Sequence, residues 1–117
     1  MTPQEIVQGQ LDAYNARDIE AFMAFWADDA QMFEHPSKLL ASGASEIRAR
    51  HVLRFREESL HGKLIKRIVQ GNRVIDQELV TRTFPEGPAT VEVIAMYDIQ
   101  NEKIATVWFI FGATLPG

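Results

Sequence analysis

One segment carries most of the residues that could do chemistry. From Arg73 to Phe84 every second side chain falls on the same side of an extended strand. Val74, Asp76, Glu78, Val80 and Arg82 therefore share one face, and Ile75, Gln77, Leu79, Thr81 and Thr83 share the other. Two carboxylates two residues apart on one face repel, which raises the pKa of one and makes it a candidate acid. Such a face either meets water or lines a polar pocket. The three histidines, His35, His51 and His61, lack the spacing of a metal-binding motif, and His51 and Glu58 lie too far apart along one helix to chelate together. No glycine-rich phosphate loop and no G-x-S-x-G elbow occurs. Neither a metal nor an organic cofactor is expected.

The scaffold for these residues is small. The chain has 117 residues, enough for one domain spanning 1–117. A chain of this length buries roughly two-thirds of its unfolded surface, enough for a core without staples. Hydrophobic residues make up 46% and charged residues 24%, a globular composition. The absence of cysteine excludes disulfides, thiolate zinc sites and cysteine nucleophiles. Sixteen acidic against 12 basic residues give a net charge of −4, which argues against a nucleic-acid surface. No apolar run approaches membrane-spanning length, and Met1-Thr2-Pro3-Gln4-Glu5 lacks the features of a signal peptide. A soluble, cytoplasmic domain without nucleic-acid or membrane partners is the expectation.

Helices come first. Thr2, Pro3 and Glu5 form a capping box for a helix whose apolar face is Ile6, Val7, Leu11 and Tyr14, with Gln10 on the side of Tyr14. Asp18 caps a second helix, Ile19 to Trp26, anchored by Phe22, Phe25 and Trp26. Ala30 to Glu34 reads as a short strand, and His35-Pro36 opens a loop. A third helix is predicted from about Ala44 to Leu60, with Ile47, Leu53 and Phe55 as its apolar contacts and His61 at its C-terminal end.

Strands follow at Leu64–Gln70, Arg73–Phe84, Ala89–Ile99 and Lys103–Phe111. Gly71-Asn72, Pro85 to Pro88 and Gln100 to Glu102 are the turns between them. The pattern predicts an α+β domain with an antiparallel meander and helices on one face.

The motifs Tyr14-Asn15-Ala16-Arg17-Asp18, Trp26-Ala27-Asp28-Asp29-Ala30, Glu34-His35-Pro36, Ser42 to Arg48 and Phe109-Ile110-Phe111-Gly112 resemble the nuclear transport factor 2-like superfamily. Within it they are most similar to SnoaL-like and ketosteroid-isomerase-like proteins. The resemblance covers nearly the whole chain. It implies a cone (a cystatin-like roll) in which a curved antiparallel sheet wraps three N-terminal helices around an apolar pocket. It also implies a homodimer packed through the outer sheet face.

Ketosteroid isomerases use a carboxylate base with an oxyanion hole of a tyrosine and a protonated aspartic acid. By the resemblance, the base position holds His35 beside Glu34, the tyrosine position Gln10 and the aspartic acid position Ala95. Steroid-isomerase chemistry is therefore not carried over. The resemblance instead turns the Asp76/Glu78 face inward, where either carboxylate orients His35 as a general base. Tyr14, Trp26, Phe109 and Phe111 become pocket wall, Arg50 and His51 its mouth, and Trp108 points outward. This constellation suits a cofactor-free isomerase, cyclase or dehydratase acting on a small apolar or cyclic carbonyl compound. The other readings are a non-catalytic module that binds a hydrophobic ligand or dimerises, and an epoxide-hydrolase-like site built from Asp76, Glu78 and Arg82.

Overall fold

The computed structural model describes residues 1–116. Helix α1 (Pro3–Ala16) starts at the expected box: Glu5 N–H donates to Thr2 Oγ1 at 3.3 Å, and Thr2 N–H donates to Glu5 Oε1 at 2.7 Å. It ends where Arg17 adopts a left-handed conformation, φ 55°. Asp18 caps the short α2 (Ile19–Met23) through Ala21 N–H. This helix stops three residues before its predicted end. Trp26 instead opens strand β1 (Trp26–Glu34), where it pairs with Ile104, and Ile104 N–H donates to the Phe25 carbonyl at 2.8 Å.

The remaining elements are β2 (Lys38–Ser42), α3 (Ala44–Arg54), β3 (His61–Gln70), β4 (Arg73–Phe84), β5 (Gly87–Gln100) and β6 (Lys103–Pro116). The strands form one six-stranded sheet in the order β2-β1-β6-β5-β4-β3. The expected meander β3 to β6 is present with turns at the predicted places. Gly71 takes φ 56° in the first turn, and Asn101 and Glu102 take φ 51° and 59° in the last.

Two features differ from expectation. Where the sequence predicts a loop after His35-Pro36, strand β2 forms a hairpin with β1. Strand β1 runs parallel to β6, a direction that no hairpin between them dictates, since residues 35–102 intervene. Register shifts between Leu64 and Lys66 and between Val91 and Val93 mark bulges, which bend strands and increase twist.

Helix α3 ends at Arg54, six residues before its predicted end, and turns carry the chain on to Leu60. Glu57 explains the stop, because its carboxylate binds Arg82 and the Thr83 N–H of β4 and holds the chain against the sheet. His61 consequently begins β3 and is not a helix-terminal residue. Leu53 is 64% exposed, so the inward stripe of α3 is Ile47, Arg50, His51 and Arg54. The core between helices and sheet contains Ile6, Val7, Phe22, Met32, Ile47, Val74, Ala95, Ile104 and Val107. Asn15 ties α1 to β3 through reciprocal bonds with the Gly62 backbone at 2.7 and 2.9 Å. A Cβ on Gly62 would lie 3.1 Å from Leu11 Cδ1, so a larger residue there would require the Leu11 side chain to shift by a few tenths of an ångström.

Candidate functional site

Every element except β2 and β3 sends side chains into one cavity of about 280 Å³. Helix α1 contributes Gln10 and Tyr14, one turn apart, and Phe22 follows from α2. Trp26 and Met32 come from β1, and Arg50, His51 and Arg54 from α3. The sheet supplies Glu78 and Arg82 from β4, Tyr97 from β5, and Phe109 and Phe111 from β6. Their shared face follows from register: Asp76 pairs with Ala95 and Ala95 with Phe109, while Glu78 pairs with Val93 and Val93 with Phe111. Trp108 lies on the opposite face, stacked with Phe33 and covered by the Arg73 guanidinium at 5.1 Å.

All six residues expected to contact a ligand, Tyr14, Trp26, Arg50, His51, Phe109 and Phe111, stand on the cavity wall. The three expected to do proton chemistry separate. Glu78 lines the cavity. Asp76 is fully buried but absent from the wall; Arg67 Nε and Nη2 grip its two oxygens at 2.7 and 2.9 Å, while Arg67 Nη1 donates to Gln8 at 3.0 Å. His35 is exposed in the turn between β1 and β2, with its backbone N–H bonded to the Phe109 carbonyl at 2.8 Å. The proposed pairing of His35 with Asp76 or Glu78 is therefore not formed. Pairing of Lys38–Ser42 with β1 carries His35 to the tip of an edge hairpin, where a free loop could have folded back. The set Asp76, Glu78 and Arg82 is not assembled either, because Arg67 occupies Asp76 and Glu57 holds Arg82 at 2.9 and 2.7 Å.

Glu78 is 7% exposed, and its Oε2 is buried with no partner among the described residues. Burial raises its pKa to about 8; the Asp76 charge pushes the same way and Arg67 opposes. The group is therefore mostly a neutral carboxylic acid at pH 7, able to donate a proton. The imidazole in the cavity is His51, which is 5% exposed and stands 4.5 Å from the Phe22 ring, centre to centre. Its Nδ1 lies 2.8 Å from the Ile47 carbonyl, so the neutral ring carries its proton there and leaves Nε2 as the acceptor. Burial lowers its pKa to about 4, helped by the charges of Arg54, Arg50 and Arg82 and opposed by the Ile47 bond. Acid and base forms thus coexist at neutral pH in one cavity, with environments pushing their pKa values apart.

Sequence reasoning missed Tyr97. Its hydroxyl accepts from Gln10 Nε2 at 3.2 Å, which leaves its own hydrogen to donate elsewhere. Burial raises its pKa well above the ordinary value, with the Glu78 charge adding to the shift. The signal is present in alternation, since Tyr97 shares a face with Val93 and with Ala95, which the resemblance matches to the oxyanion aspartic acid position. Trp26 Nε1–H is also buried without a partner among the described residues. No three metal-ligating side chains converge among those residues.

No curated protein matches the chain in sequence. Among solved structures, an uncharacterized cystatin-fold protein from Novosphingobium aromaticivorans is similar over 94% of this chain and 98% of its own, with TM-score 0.85 and 25% identity. An LEH-like epoxide hydrolase from M. tuberculosis has TM-score 0.81 at 13% identity, covering 92% of this chain and 80% of its own. A protein with a ketosteroid isomerase-like fold from Catenulispora acidiphila has TM-score 0.77 at 18% identity, covering 93% and 85%. The last two likenesses concern the fold alone. The profile of the SnoaL-like domain matches residues 7–107, and the chain belongs to that family.

Proposed function

We propose that the protein catalyses proton transfer next to a carbonyl group in a small, largely apolar or cyclic compound, leading to isomerisation, cyclisation or dehydration. The observation that carries this reading is the Glu78 carboxyl, buried in a mainly apolar cavity with its Oε2 unpartnered among the described residues and held neutral at pH 7. A neutral carboxylic acid can donate to a carbonyl oxygen and stabilise the oxyanion that forms when the neighbouring carbon loses its proton. The Tyr97 hydroxyl, already accepting from Gln10, supplies a second donor. His51 Nε2 accepts the proton from carbon, the C–H electron pair moves into the enolate, and the imidazolium returns the proton to another position. A conjugate acid of pKa about 4 makes His51 as basic as an ordinary carboxylate.

In this reading His51 replaces His35 as the base, and Asp76 acts only through its charge on Glu78. The test is turnover of a panel of cyclic enones and β-diketones by the protein and by Glu78→Gln. The reading requires a loss of 100-fold or more in kcat/KM for the variant, the usual scale of acid–base catalysis. Binding of the panel without turnover would favour the non-catalytic binding module.

Assembly belongs to the same proposal. Ile68, Ile75, Met96 and Trp108 form a cross-strand apolar row on the face turned away from the cavity, and Ile94 and Ile110 form another. Ile68 and Ile110 are 53% and 40% exposed. This supports a homodimer through the outer sheet face.

A further inference from the structure

Arginines are unevenly partnered in this chain. Arg67 holds Asp76, Arg73 holds Asp98, Arg48 holds Glu20 and Arg82 holds Glu57. Arg50 and Arg54, half-buried on the inward stripe of α3, have no ion-pair partner among the described residues, although the protein carries a net charge of −4. Arg54 feels the charge of Glu57, but both oxygens of that carboxylate are committed to Arg82 and Thr83. Both guanidiniums line the cavity together with Arg82, with the Tyr14 hydroxyl as a hydrogen-bonding neighbour of Arg54. Desolvated like charges repel, and an anion between them would relieve the cost.

The polar groups also reach the cavity from different elements, Arg50 and Arg54 flanking His51 on α3 and Glu78 standing on β4 with Val80 between it and Arg82. The charges of all three cavity arginines lower the pKa of His51, whereas burial and Asp76 raise that of Glu78. Tyr14 of α1 lines the same cavity, where burial raises its pKa and the charges of Arg54 and Arg82 oppose the shift.

We propose that the substrate is itself a carboxylate, an apolar or cyclic keto acid whose carboxyl group binds Arg50 and Arg54 while its carbonyl reaches Glu78. This rests on the acid–base reading of the same cavity and adds the substrate's charge to it. The planar guanidinium forks match the two oxygens of a carboxylate. Aromatic walls from Phe22, Trp26 and Phe109 accept the carbon frame between the two ends.

Calorimetry at pH 6.5 with three probes of one shape, 2-naphthoate, 2-naphthamide and 2-naphthyl phosphate, tests the charge separately from turnover. The acid should bind at least 10-fold more tightly than the amide. Arg50→Gln with Arg54→Gln should abolish that preference and leave amide binding within 3-fold. Should the double variant fail to melt cooperatively, each single variant is expected to lose at least 3-fold of the preference. Equal binding of acid and amide, undetectable naphthoate binding, or a preference that survives these substitutions overturns the proposal. Ten-fold tighter binding of the phosphate than of the acid overturns it too. The Glu78→Gln protein should keep the naphthoate preference, so a failure of the acid–base reading is seen apart from a failure of the arginine site.

Discussion

Glu78 and His51 are displaced from their ordinary pKa values in opposite directions, and burial is the main cause of both. Between about pH 4 and about pH 8, Glu78 is neutral and His51 is neutral, the pair of states the proposed reaction needs. Turnover should therefore follow a bell with limbs near those values, read from kcat/KM against pH; a single limb near 6.5 would contradict it. Stability carries the same signature. The native state keeps a proton on Glu78 that the unfolded chain releases above its ordinary value of 4.5, so this stabilisation is full below pH 4.5 and is lost as pH rises through about 8. His51 works the other way, because the unfolded chain takes up its proton near 6.5 and the native state only near 4, so stability is lost as pH falls through that window. From pH 6.5 to 8 the loss through Glu78 outweighs the few tenths of a kcal/mol regained as the unfolded-state His51 finishes deprotonating, and the net loss in urea unfolding should be roughly 1 kcal/mol. Glu78→Gln should flatten that slope. Alternation along one strand made Glu78 legible in the sequence, but nothing local distinguished it from Asp76. That difference lies in Arg67, which register places opposite Asp76 from another strand.

At the scale of elements, the buried Arg67–Asp76 pair joins β3 to β4 and sets the field at Glu78. Removing the carboxylate with Asp76→Ala leaves Arg67 uncompensated and should cost roughly 3 kcal/mol or more by denaturant unfolding. Asp76→Asn should move the alkaline limb of the pH–rate profile below 8, because the repelling charge is gone while Arg67 remains. The β1–β2 hairpin gives the opposite expectation. His35 stands exposed at its tip, so His35→Ala should change stability by less than about 0.5 kcal/mol and kcat by less than 2-fold. The family resemblance puts a base there, and no strong local strand pattern in Lys38–Ser42 marks the hairpin that carries His35 outward. The same limit hid the end of α3, which is fixed by Glu57 reaching β4 and not by a local stop signal. Capping residues and turn residues, whose effect is local, marked α1, the start of α2 and the meander correctly.

For the whole molecule, periodicity and family motifs led to a sheet wrapped around three helices, and the six strands form that arrangement with one parallel neighbour pair. What periodicity could not supply was the inventory of the cavity, since seven elements meet there and side-chain direction depends on bulges and helix ends. The outer apolar rows predict a dimer in sedimentation velocity at micromolar concentration, converted to monomer by Ile68→Glu with Ile110→Glu; a monomeric parent protein would contradict it. The neutral carboxylic acid on the cavity wall is open to direct measurement. In protein labelled with ¹³C at the glutamate side-chain carboxyl, the resonance lost in Glu78→Gln should titrate with a midpoint near pH 8. A midpoint near 4.5 would mean an ordinary carboxylate at pH 7 and would remove the acid from the proposed mechanism.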